Sequence, residues 1–149
     1  MELFKQGYNC AQSVILSFAD ILESSGLADE HLLKVIGSGF GGGMGRLREV
    51  CGAFSACTMM AGFISPADVP ADMAARNANY AIVQEFAQKF KDAGGGSIVC
   101  RELLGLGERK QTESPAPSER TPEYYRKRPC VHTIGEAARI IAEKLLSDM

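Results

Sequence analysis

One run of residues limits this chain more than any other. From Val50 to Phe63 it reads VCGAFSACTMMAGF, 14 residues without a charge. The run is longer than a typical strand and shorter than a membrane span. An uncharged helix that is apolar on all sides has to be buried on all sides. The reading is a central helix covering roughly 46–63, with the rest of the chain wrapped around it. Gly52 and Gly62 would weaken that helix or let another backbone come close. The full length of 149 residues suits one domain, 1–149, with its own core.

Helical spacing recurs on both sides of the run. Asn9 and Gln12 form a capping-box pair ahead of Ala11, Val14, Ile15, Phe18, Ile21 and Leu22. A short helix is expected at 29–36, led by Asp29 and Glu30. A long one is expected at 71–92 with a stripe of Ala74, Ala78, Ala81, Ile82, Phe86 and Phe90, ending at Gly94-Gly95-Gly96. Ser97 is placed to cap a helix at 98–104. Thr133 and Glu136 read as a capping box opening the last helix, striped by Ile134, Ala138, Ile141 and Leu145. Between 105 and 129 the chain is polar, with four prolines and no periodicity. Such a loop is mobile, wraps the surface or covers a site. Glu2-Leu3-Phe4 followed by Gly7 reads as the last turn of a helix that starts upstream. No segment reads as a strand, so the fold expected is all-α: about five helices around one buried helix.

The chemistry is carried by five cysteines: Cys10, Cys51, Cys57, Cys100 and Cys130. An odd count argues against a fully paired disulfide framework. Residues 1–12 lack the basic and apolar regions of a secretory signal, so a cytoplasmic setting with reduced thiols is expected. A net charge of −2 gives no reason to expect nucleic acid, and no run is long enough to cross a membrane. Cys10, Cys51, Cys100 and Cys130 all fall at or near expected helix starts. Backbone N–H groups without intrahelical partners there favour a thiolate or an anionic metal–sulfur centre. Cys57, six residues after Cys51, points to another face of the helix and reads as packing. No C-x-x-C pair exists, which excludes a thioredoxin-type dithiol and the usual zinc spacing. A site made of these four cysteines has to be assembled by the fold.

The glycine-dense stretch Gly37-Ser38-Gly39-Phe40-Gly41-Gly42-Gly43-Met44-Gly45 precludes a regular element. Gly41, Gly42, Gly43 and Gly45, with Arg46, are the residues expected to bind a cofactor. The glycines would supply backbone donors as in an anion-binding nest, and Arg46 and Arg48 would stabilise thiolates. The stretch also matches G-x-G-x-x-G, but the flanking strands a dinucleotide site needs are absent. His132 can ligate a metal or tune Cys130, although its polar loop makes it solvent-facing. His31 is expected to be exposed. Arg126-Lys127-Arg128 beside Tyr124-Tyr125 reads as a solvated stretch.

These pieces resemble a known family. Gly7-Tyr8-Asn9-Cys10-Ala11-Gln12-Ser13-Val14, Gly41 to Arg46, Val50 to Ser55, Cys100 to Gly105 and Cys130 with its helix are similar to the redox-active proteins named for the pattern C…GCAxxG…C…C. The chain departs from the name with Cys51-Gly52-Ala53 in place of Gly-Cys-Ala, and with Ala56-Cys57 where a Gly-Ala pair is expected. The resemblance implies a redox role, with a redox partner protein, for Cys10, Cys51, Cys100 and Cys130 as catalytic or metal-binding residues. A more distant resemblance to the non-haem module of split-Soret cytochromes implies an iron–sulfur centre; their haem-attachment motif is missing. Three expectations stay open: electron transfer through an iron–sulfur cluster, thiol–disulfide cycling without a cofactor, and a zinc-stabilised or structural interaction module.

Overall fold

The computed structural model describes residues 1–108 and 113–148. Its helices, in chain order, are α1 (Glu2–Lys5), α2 (Cys10–Ile15), α3 (Ala19–Ser24), α4 (Glu30–Gly37), α5 (Gly41–Met44), α6 (Gly52–Ile64), α7 (Met73–Gly94), α8 (Cys100–Leu103), α9 (Pro122–Lys127) and α10 (Cys130–Ser147). Among the described residues there is no strand, and the only sheet-like pairing is a bridge between Val50 and Val99. No described helix is long and apolar enough to cross a membrane.

The apolar run forms α6, the centre of the molecule. Helices α2, α7 and α10 pack against it, and α10 also touches α2 and α7. Ala53, Phe54, Ala56, Cys57, Met60 and Ala61 are all buried, so the helix meets protein on nearly every face. Phe86 and Phe90 of α7 and Ile134, Ile140 and Ile141 of α10 close the core. Asn79 of α7 donates to the carbonyls of Ala61 and Ser65, tying α7 to the C-terminal end of α6.

The all-α expectation holds, with several boundaries changed. Helix α6 begins at Gly52, not near 46, because residues 46–51 run along the start of α8. There Cys51 N–H donates to Ile98 O at 2.8 Å and Cys100 N–H donates to Glu49 O at 2.6 Å. That pairing leaves Val99 extended and starts α8 at Cys100. Ser97 does not cap the helix; its Oγ accepts from Val99 N–H and donates to Glu102. The Thr133 capping box is also absent. Helix α10 starts four residues earlier, behind Pro129, and Thr133 is a buried helical residue donating to Cys130 O. Proline just before a helix start sets φ for the first turn and prevails here.

The stripe of α7 is rotated at its N-terminal end: Ala74, Ala78 and Ala81 are exposed, and Asn79 turns inward. A 3-10 turn at Leu16–Phe18 separates α2 from α3 and leaves Ile21 half exposed. The polar stretch 105–129, of which 109–112 lie outside the described residues, contains α9. Thr121 caps that helix and Pro122 occupies its first position.

Candidate functional site

Four helix starts converge on one cavity. Cys10 is the first residue of α2, behind a capping box in which Asn9 and Gln12 exchange side-chain and backbone hydrogen bonds. Cys100 and Cys130 are the first residues of α8 and α10. Cys51 occupies the N-cap of α6, without a capping hydrogen bond. All four line a cavity of about 50 Å³, with Arg48, Arg120 and Arg128 also on its wall. Cys51 and Cys100 are buried, whereas Cys10 and Cys130 are half-buried. Cys57 is elsewhere: it is fully buried in the core, its Sγ 3.9 Å from Ala137 O.

The cavity depends on glycine at two points. A methyl group on Gly43 would stand 2.6 Å from Cys100 Cβ and 2.9 Å from Arg48 Cα, and its φ of +69° already disfavours a side chain. One on Gly52 would stand 2.8 Å from Phe40 O and 3.1 Å from Cys10 Cβ. Position 52 therefore has no room for a cysteine, which accounts for the order Cys51-Gly52-Ala53.

The thiols differ in acidity. Hydrogen bonding with the neighbouring Cys130 thiol, and burial after it, raise Cys10 well above its ordinary value. The same bond, with Arg128 and Arg48 nearby, lowers Cys130 to about 7 against the opposing effect of burial. Burial pushes Cys51 up to about 11, although the N–H groups of Phe54 and Ala53 partly oppose it. Burial also raises Cys100, against the pull of Arg48, whose Nη1 lies 4.0 Å from its Sγ. Cys57 is raised by burial.

The glycine loop serves a narrower purpose than expected. Gly42 and Gly43 are on the cavity wall. Gly41 instead backs onto Asn9, and Gly45 is exposed. The N–H groups of Arg46, Arg48 and Glu49 bond back to the carbonyls of Gly41, Gly42 and Gly43 at 3.3, 3.2 and 3.0 Å, so they are committed inside the loop rather than offered to an anion. Arg46 turns away from the cysteines. Its Nη2 donates to Glu113 at 2.8 Å, its Nε to Ser114 O and its Nη1 to Ser118 Oγ. Arg48 is buried and grips the same carboxylate through Nε at 3.0 Å and Nη2 at 2.7 Å, leaving Nη1 for Cys100. His132 is on the first turn of α10, not in a loop; it is exposed and its Nε2 is 3.1 Å from Ala93 O. His31 is exposed.

Of the basic stretch, Arg126 and Lys127 are exposed as expected, while Arg128 joins Arg120 and the aromatic residues in the site's cover. Arg120 donates to Phe4 O at 2.9 Å and stacks on the Phe4 ring at 4.4 Å. Arg128 lies 4.4 Å over Tyr124, and Phe4 meets Tyr125 edge-on at 5.5 Å. The sequence did carry a signal for this cover. Thr121-Pro122-Glu123 is a helix start, with a cap, a first-turn proline and an acid.

The polar groups on the cavity wall, among the described residues, are four cysteines, three arginines, Asn9, Tyr124 and Thr133. Among the described residues no group of three or more His, Cys, Asp or Glu is set to hold a metal ion. The donor type nonetheless suits an iron–sulfur centre: four thiols at helix starts with cations around them.

The chain from residue 8 to residue 144 matches the family model described as "Putative redox-active protein (C_GCAxxG_C_C)". The chain belongs to that family. All four cysteines that line the cavity fall within the matched span, as does most of the cover. No curated protein and no solved structure matches the chain.

Proposed function

We propose that this member of the redox-active family is a thiol–disulfide protein whose working pair is Cys10 and Cys130. The observation that carries the reading is that Cys10 and Cys130, the half-buried first residues of α2 and α10, line one cavity with Arg48 and Arg128 on its wall. A thiolate is the form that attacks a disulfide, and a neighbouring thiol then resolves the mixed disulfide. Cys130 is the attacking sulfur and Cys10 the resolving one. Cys51 and Cys100, deeper and held protonated, form the floor and are a reserve pair. Free thiols of this kind suit a reducing compartment such as the cytoplasm, with a redox partner protein to renew them.

A second reading has all four cysteines holding an iron–sulfur centre, which would supply one-electron transfer. It is favoured by the presence of four thiols, rather than two, on the same wall. It ranks second because the cavity between them is only about 50 Å³.

Anaerobic purification with a visible spectrum and metal and sulfide analysis separates these readings. The thiol reading predicts a colourless, metal-free protein in which two thiols oxidise together as a two-electron couple in glutathione buffers. A brown protein containing iron and acid-labile sulfide supports the second reading. A zinc-bound protein that unfolds on chelation points to a structural module.

A further inference from the structure

The cysteine cavity, at about 50 Å³, has room for little more than a water or two. A substrate must therefore rest its body outside and present only its sulfur. Beside the cavity is an open recess of about 530 Å³, within the usual size of small-molecule sites. Arg48, Leu104 and Arg128 line both. Among the described residues the recess carries four cations, Arg46, Arg48, Lys127 and Arg128, against the single carboxylate of Glu113. The whole chain has a net charge of −2, so this positive surface is local and does not follow from a basic composition.

The chain itself shows which ligand chemistry the recess suits. Two arginines close on one carboxylate, with three N–H groups within 3.0 Å of the Glu113 oxygens. Arginine's planar fork fits a carboxylate better than a rounder anion. Lys127 pairs with Glu123 at 2.6 Å, but both side chains are largely exposed, and such pairs exchange readily.

We propose that the recess docks a small disulfide bearing carboxylates, and that it presents the sulfur–sulfur bond to Cys130. The proposal rests on the thiol–disulfide reading. The Cys130 thiolate attacks one substrate sulfur; the substrate bond breaks and one half leaves as a thiolate. Cys10 then transfers its proton to that leaving thiolate and attacks the Cys130 sulfur, forming the Cys10–Cys130 disulfide and releasing the second half as a thiolate, which takes a proton from water. Two electrons pass from the protein to the substrate, and an external dithiol reductant restores the protein.

The test compares three chromogenic or mass-resolved disulfides on the reduced protein: dianionic 5,5′-dithiobis(2-nitrobenzoate), uncharged 4,4′-dithiodipyridine and dicationic cystamine. The ratio of dianion rate to neutral rate is expected to fall at least fivefold in Arg46→Gln and Lys127→Gln, to recover in Arg46→Lys and to fall with added salt. Cystamine is expected to be the slowest of the three. A ratio unmoved by Lys127→Gln, which sits on the exposed rim and keeps the test valid if the Arg46 variant fails to fold, would overturn the proposal. If the neutral probe also fails to produce the Cys10–Cys130 disulfide, the thiol reading falls with it; if it succeeds without charge discrimination, only the docking site falls.

Discussion

At the scale of single residues, identity is decided by space and by hydrogen bonding. Gly43 and Gly52 are the two places where the backbone must approach a cysteine. Gly43→Ala would push a methyl into Cys100 and the Arg48 backbone at a position already in the left-handed region. Urea unfolding should show a loss of about 1–3 kcal/mol, the usual cost of overpacking. Gly62 is the contrasting case. It is exposed in α6 and has open space around it, so Gly62→Ala should stabilise by up to about 1 kcal/mol. The reactive pair invites a similar contrast. Alkylation at neutral pH should reach Cys130 first, and Cys10→Ala should slow it by removing the hydrogen-bond donor that favours the thiolate. Equal rates at all five cysteines would argue against a special pair.

At the scale of elements, the cover over the cavity is held by the 113–128 segment. Glu113 clasps Arg46 and Arg48, and both the Glu113 and Arg48 side chains are largely buried. Glu113→Gln removes a partner from a buried cation and should cost about 3–5 kcal/mol, read by denaturant unfolding. A change under 1 kcal/mol would mean that the clasp is ornamental. Much of this layer was hard to read in sequence, for identifiable reasons. The run at 50–63 could only be a buried helix, and Asn9 with Gln12 marked the start of α2 plainly. Residues 46–51 join that run with no glycine or proline between, although Arg46, Arg48 and Glu49 are charged. Their true role, lying against 98–101, depends on a contact between segments about fifty residues apart that no local pattern encodes. Thr133 and Glu136 have the spacing of a capping box but lie inside α10, which starts behind Pro129. Cys130 consequently moves from a loop to the first position of α10, which brings it to Cys10.

At the scale of the whole molecule, wide cysteine spacing becomes a single cavity because four helices start around it. The four cysteines set apart in the sequence by their positions near helix starts are the four that line it, and Cys57 lies in the core. Local pattern left Arg120, Tyr124, Tyr125 and Arg128 without a role, because that role exists only once the segment folds back onto Phe4. Burial of thiols also sets a pH limit on the fold. Burial raises Cys51 to about 11 and raises Cys57 as well, both from an ordinary 9.0. As pH climbs past the ordinary value, the unfolded chain loses these protons first. Their contribution is thus complete below that value and is lost as pH rises through the folded-state value. The slope is about 1.4 kcal/mol per pH unit for each thiol. Unfolding followed from pH 8 to 10.5 should show this fall, and Cys57→Ala should flatten it.

The central claim concerns which sulfurs exchange electrons, and a mass-spectrometric map of the protein after mild oxidation tests it most directly. The account predicts a Cys10–Cys130 disulfide that a dithiol reductant reverses, with Cys57 free throughout. Oxidation that leaves Cys10 and Cys130 unlinked, or that joins either one to another cysteine instead, would contradict it.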